Sequence, residues 1–179
     1  LLSRRQRQMC IRDRCSVVEV MGRHAGHIAL NTGIATGAVQ IITEEIPTPI
    51  DDVVENIKKI RESGKDHFIV IVSEGYGNPV EIATQIQEKT GQEVRITVPG
   101  HMQRGGEPCP YDRVLSTRLG AAAAQLIIKE KYGYMVGMVN GETVPVPLSE
   151  VAGKLKYVDP NCGLIKEART IGISFGDEV

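Results

Sequence analysis

Five consecutive apolar residues, Phe68-Ile69-Val70-Ile71-Val72, constrain the fold more than any other stretch of the chain. A β-branched run of this length suits a strand buried on both faces, the position created by a parallel sheet with helices above and below it. The flanking segments alternate accordingly. Ser16 to Met21 and Val39 to Thr43 read as strands, with a helix of small residues running to about Thr36 between them. Asp51 to Ser63 places Val53, Val54, Ile57 and Ile60 at helical spacing, carries acids in its first turn and stops before Gly64. Val80 to Thr90 predicts a further helix ending at Gly91, and Val94 to Val98 a fourth strand stopped by Pro99 and Gly100. Residues 16–98 therefore read β-α-β-α-β-α-β, an α/β fold built on a mainly parallel sheet. Beyond it, Asp112 caps a helix over Val114 to Lys131 that presents Leu115, Leu119, Ala122 and Leu126 on one face and is closed by Gly133. A strand at Met135 to Val139, a polar Asn140-Gly141 turn and one short helix near Leu148 to Leu155 follow, with no internal repeat.

Polar residues gather where the strands end, and in open α/β sheets ligands bind beyond the carboxyl ends of strands. Arginine makes forked, charge-assisted bonds to phosphate oxygens, and a glycine pair lets backbone amides approach an anion. Arg95, His101, Arg104, Gly105 and Gly106 thus point to a phosphate site. The competing reading is an exposed loop whose arginines pair with the protein's own carboxylates. Glu74 follows the buried strand directly and is placed to accept bonds from ligand hydroxyls, against the alternative of a solvated glutamate in a turn. Gly22 lies between a strand and a helix, where exposed amides and the positive helix end favour an anionic or polar ligand. Gly26 and Gly33 read instead as close helix packing.

Composition narrows the function classes. The 179 residues carry 41% hydrophobic and 24% charged side chains, ordinary for a globular protein of one or two modest lobes. A net charge of −1, no Trp and few aromatics leave no nucleic-acid footprint. No apolar run approaches the roughly 18 residues of a membrane span. Cys10, Cys15, Cys109 and Cys162 lack paired zinc spacing and are too few for a disulfide framework, which makes a reducing cytoplasm the default. Residues 1–13 carry four arginines and one aspartate, +3 in all, leaving −4 for the remainder. A basic nucleic-acid arm, a transit peptide and a non-native leader compete for this segment. The absence of apolar periodicity and the abrupt passage into a strand favour the leader.

The spacing Arg95, four residues, Gly-His-x-Gln-Arg-Gly-Gly, five residues, Asp112-Arg113 closely resembles the fructose 6-phosphate loop of the phosphofructokinase family, and Met21-Gly22-Arg23 resembles that family's substrate-binding tripeptide. The resemblance extends over nearly all of 14–175. It implies a phosphofructokinase-like three-layer parallel-sheet sandwich of two lobes with chain crossover. Residues 14–103 and 156–179 would form the sugar-phosphate-binding lobe, and 104–155 part of the nucleotide-binding lobe. By resemblance, His101, Met102, Gln103, Arg104 and Glu74 hold the sugar phosphate, while Met21, Gly22 and Arg23 line the pocket near its reacting end. Arg95 and Arg14 resemble the arginines that reach the 6-phosphate in a neighbouring subunit.

The implied reaction is glycolytic phosphoryl transfer from ATP to the 1-hydroxyl of fructose 6-phosphate, giving fructose 1,6-bisphosphate. A pyrophosphate-dependent enzyme and a non-catalytic phosphosugar-binding module are the alternatives. The family's glycine-rich donor loop and its Thr-Ile-Asp segment with the catalytic base do not occur here, so the chain resembles a C-terminal half. No catalytic residue and no metal ligand is assigned to it, and Mg²⁺ with ATP or pyrophosphate would bind mainly to the other portion. A homotetramer with sites shared between subunits is implied. At the family's regulatory site Val39 stands in place of a glutamate, and Ser63-Gly64-Lys65-Asp66 replaces a basic cluster. Gly37 and Lys65 would be remnants of a degenerate site with weak or absent control.

Overall fold

The computed structural model describes residues 14–65 and 67–177; residues 1–13, where a leader is expected, Asp66 and residues 178–179 lie outside them. The described chain runs β1 (Arg14–Val20), α1 (His27–Thr36), β2 (Gln40–Ile42), α2 (Ile50–Glu62), β3 (His67–Ser73), α3 (Pro79–Thr90) and β4 (Val94–Thr97). A 3-10 turn (Gly100–Arg104), α4 (Pro110–Ile128), β5 (Tyr134–Val139), β6 (Glu142–Pro147), α5 (Leu148–Val151) and α6 (Gly163–Thr170) complete it. The expected alternation is thus the architecture the chain adopts, with bounds shifted by a residue or two.

Two compact units divide at 103/104 and 155/156. The first holds a sheet of order β2-β3-β1-β4, every pairing parallel. Alternation along the strands sends side chains to opposite faces, and each face has its own core. Cys15, Val17, Phe68, Val70 and Val72 pack with Val53, Val54 and Ile57 of α2 and Ile82, Ala83 and Ile86 of α3. Val20, Ile41 and Ile71 pack with Ala29 and Leu30 of α1 and with Ile165 and Ala168 of α6. Gly33 lets α1 close on the sheet, because a Cβ there would stand 2.4 Å from Ile41, and Gly26 does the same against Thr43.

Helix α6 is absent from the sequence reading, yet it supplies Ile165 and Ala168 to a core shared with Val158, Ile173 and Phe175. Ser174 then extends the sheet beside β2: its N–H donates to the Val39 carbonyl at 3.1 Å, and its carbonyl accepts from Ile41 at 3.0 Å. An eight-residue helix flanked by proline and glycine offers too short a periodic signal to register locally.

The second unit corrects three expectations. Helix α4 starts at Pro110 rather than near Val114, so Asp112 is its third residue and not its cap. Pro110 supplies a helical φ at the first position, and the Asp112 carboxylate reaches back to accept the Cys109 N–H at 3.0 Å. These bonds with Cys109 hold the Asp112 carboxyl below its usual range. The turn at Asn140 (φ 50°) and Gly141 (φ 81°) closes an antiparallel hairpin whose second strand, β6, was not anticipated. An Asn-Gly pair between apolar runs is the strongest short hairpin signal, and Pro145 and Pro147 obscured it. The helix expected over Leu148 to Leu155 is a single turn ending at Val151. On α4 the half-buried residues are Leu115, Leu119, Ala122, Ala123 and Leu126, the face that the periodicity selects.

Candidate functional site

Because the four strands are parallel, their carboxyl ends share one edge, and the loops that leave it converge. Strands β1 and β3 are neighbours, but α1, which follows β1, covers one face, whereas α3, which follows β3, covers the other. Chain connections therefore diverge between these strands, the place where α/β folds take ligands.

The loop after β1 forms one wall. Met21 donates its N–H to Gln103 Oε1 at 3.1 Å, and the Gly22 and Arg23 N–H groups donate to Glu74 Oε2 at 3.2 and 3.0 Å. His24 Nδ1 lies 3.1 Å from Glu44 Oε2. Side chains from the loops after β4, β3 and β2 thus hold four successive residues. The backbone needs holding: Gly22 has φ 149°, and Arg23 has φ 49°, a left-handed conformation uncommon outside glycine. Gly75 allows the loops to touch, since a Cβ on it would stand 2.2 Å from the Arg23 carbonyl oxygen and 2.6 Å from Glu44 Oε2.

Electrostatics follow from these bonds. The Arg23 and Gly22 N–H groups favour the charged form of Glu74 and hold its carboxyl below the ordinary glutamate range, with the charges of Arg23 and His101 adding to the effect. Glu19 is pushed up, by burial first and then by the negative charge of Glu74. Behind the loop, burial raises Glu45, but the Gly26 and Val158 N–H groups, both 2.9 Å from Oε1, more than offset it and leave the carboxyl low.

The order that Glu74 gives the loop is complete above about pH 4.3, the ordinary glutamate value, and is lost as pH falls through the lower folded-state value. The Gly22 and Arg23 amide proton shifts are expected to titrate together in that acid range. Shifts that stay constant through that acid range would show that Glu74 does not hold the loop.

The structure gathers Met21, Gly22, Arg23, Glu74 and Gln103 at this edge and places His101 within electrostatic reach of Glu74. Met102, 83% exposed, sits in the same turn as His101. Arg104 opens the second unit and is exposed.

Arg14 and Arg95 are elsewhere. Arg14 begins β1, seven residues and roughly 20 Å of extended strand before Met21. Both guanidinium Nε atoms meet Glu93, at 3.2 Å from Arg14 and 3.4 Å from Arg95. The phosphate cluster drawn from sequence is therefore divided, and Arg95 takes one of the protein's own carboxylates. Gly37 caps α1 with φ 65°, Lys65 is exposed beyond α2, and Val39 is buried in the sheet.

Sequence reasoning missed His24, Glu44, Glu45 and Gly75. The rule that selects Glu74, a polar residue directly past a strand's carboxyl end, selects Glu44 and Glu45 after β2 as well. Among the described residues no group of three or more His, Cys, Asp and Glu is placed to hold a metal ion, and no helix is long and apolar enough to cross a membrane.

Against known proteins, the Phosphofructokinase family profile matches residues 3–127. A relative from Spirochaeta thermophila named ATP-dependent 6-phosphofructokinase is 43% identical over 190 residues, covering 93% of this chain and 52% of that protein. One of the same name from Bacillus pumilus is 44% identical over 149 residues, covering 83% and 47%. The solved structure of phosphofructokinase from Saccharomyces cerevisiae superposes with a TM-score of 0.74 at 29% identity, covering 83% of this chain and 22% of that one. The chain spans about half the length of the curated relatives it matches.

Proposed function

Because the chain belongs to the phosphofructokinase family, we propose that it supplies the fructose 6-phosphate site of an enzyme transferring a phosphoryl group from ATP to the sugar's 1-hydroxyl. The observation that carries this reading is the loop Met21–Arg23, held by Glu74 and Gln103 at the carboxyl edge of the sheet. Phosphoryl transfer depends chiefly on positioning and charge neutralisation. Arg23 supplies a cationic donor there and His101 a ring nitrogen, and the resemblance assigns Arg104, next in sequence to Gln103, to the same anion. Glu74 binds the loop through Oε2, which leaves Oε1 for a sugar hydroxyl. Arg14 and Arg95, on the opposite edge, fit the 6-phosphate of a sugar held by a second copy of the protein, so the active form is at least a dimer.

Among the described residues no group of three or more His, Cys, Asp and Glu is placed to hold Mg²⁺. The metal and ATP are assigned mainly to the part of the relatives' length that this chain does not span, with residues 104–155 contributing part of the nucleotide-binding lobe. ATP is preferred over pyrophosphate because the relatives at 43% and 44% identity carry ATP-dependent names.

Calorimetric titration with fructose 6-phosphate and with fructose tests the site. The phosphorylated sugar is expected to bind, with fructose at least about tenfold weaker, and Arg23→Ala should weaken fructose 6-phosphate by about tenfold, the worth of one charge-assisted contact. Equal affinity for the two sugars, or none for either, would overturn the proposal.

A further inference from the structure

The loop at residues 21–24 stands in a backbone conformation that it would not hold alone, with Gly22 at φ 149° and Arg23 at φ 49°. Two of the side chains that hold it, Glu74 and Gln103, also belong to the site assigned to the sugar phosphate. The third, Glu44, does not. Its Oε2 pairs with His24 Nδ1 at 3.1 Å, immediately after Arg23, and the same oxygen lies against the backbone of Gly75. The pair closes the far end of the loop, while Glu74 and Gln103 fix the near end.

Beyond the near-end bonds, among the described residues only the turn bond from the Ala25 N–H to the Gly22 carbonyl, at 3.1 Å, spans Arg23 and His24; without the Glu44 contact the His24 side chain has no anchor and the turn can loosen from that side. With all three side chains in place, the backbone at Arg23, and with it the direction in which the side chain leaves the loop, is set before any ligand arrives, and a preorganised contact binds more tightly than one ordered on binding. We propose that Glu44 and His24 are positioning residues for the phosphosugar site, acting on Arg23 through the backbone and touching no substrate; for its ligand this inference rests on the function proposed above. The contact is a hydrogen bond from a ring N–H to a side-chain oxygen, so it needs an acceptor at position 44 and not specifically a charge.

Two measurements on the whole protein test it: backbone hydrogen exchange at Gly22 and Arg23 at fixed pH, and fructose 6-phosphate affinity. Glu44→Ala is expected to speed exchange at both amides and to weaken the sugar phosphate about three- to fivefold, the range of an exposed pair. Glu44→Gln, which keeps the acceptor, should return both readings to within about twofold of wild type. His24→Ala should reproduce Glu44→Ala, and the double variant should be no worse than either single one, because the two residues share one contact. Unchanged exchange in Glu44→Ala, a Glu44→Gln variant as impaired as the alanine, or additive losses would each overturn the inference. Should the wild-type protein not bind fructose 6-phosphate at all, the functional reading fails, and exchange at Gly22 and Arg23 alone still decides whether the pair positions the loop.

Discussion

Gly75→Ala is expected to weaken fructose 6-phosphate binding by at least about tenfold while leaving the protein folded, with an overpacking penalty on the order of 1–3 kcal/mol. The added methyl would stand 2.2 Å from the carbonyl oxygen and 3.0 Å from the carbonyl carbon of Arg23, and 2.6 Å from Glu44 Oε2. The Glu44 side chain can swing aside. The Arg23 carbonyl is backbone, so relieving its contact displaces the Arg23–His24 peptide and strains the adjoining N–H bonds to Glu74, and the methyl unseats the loop. Gly77, two residues on, has open space where its Cβ would be, and Gly77→Ala serves as the control with unchanged affinity. Titration and thermal unfolding of the two variants check the result; wild-type affinity in Gly75→Ala would show that the loops do not act together.

The largest loss of stability is expected from Phe68→Ala, about 3–5 kcal/mol. Phe68 is fully buried in β3, opposite Cys15 in the β1 register and packed in the core that the sheet shares with α2 and α3. Truncation leaves a cavity under two helices that have no alternative partner on that face. A fall in melting temperature on the order of 10 °C is expected, at roughly 2–4 °C per kcal/mol for a chain of this size. Cys15 offers a second reading, because burial pushes its thiol up to about 12 and keeps it unreactive. In Phe68→Ala, labelling of Cys15 by a thiol reagent, mapped by peptide, should accelerate with the loss of stability. A melting temperature within 2–3 °C of wild type, the shift of about 1 kcal/mol, would mean that the core collapses around the missing ring.

Local pattern carried most of the first unit. The apolar run Phe68 to Val72 and the period of Val53, Val54, Ile57 and Ile60 each report how many faces of their element are buried, and burial on both faces of a strand admits few arrangements other than a parallel sheet between helices. The same logic located the loops past the strand ends, and with them Gly22 and Glu74. It gave less where the signal is short or mixed. Strand β6 contains two prolines, α6 spans only eight residues, and the start of α4 depends on a carboxylate reaching back three residues.

Element type in the four-stranded unit up to β4, and the loops that leave its strands' carboxyl ends, were thus determined by the amino-acid sequence alone, because hydrophobic periodicity and turn chemistry act over a few residues. Which side chains meet was decided only by the tertiary structure. The strand order β2-β3-β1-β4 brings Gln103 to Met21 across 82 positions, Glu74 to Arg23 across 51 and Glu44 to His24 across 20. It also sends Arg14 and Arg95 together to Glu93 at the opposite edge. Such contacts depend on strand order and on the close approach that Gly75 permits, and neither leaves a periodic trace in the chain.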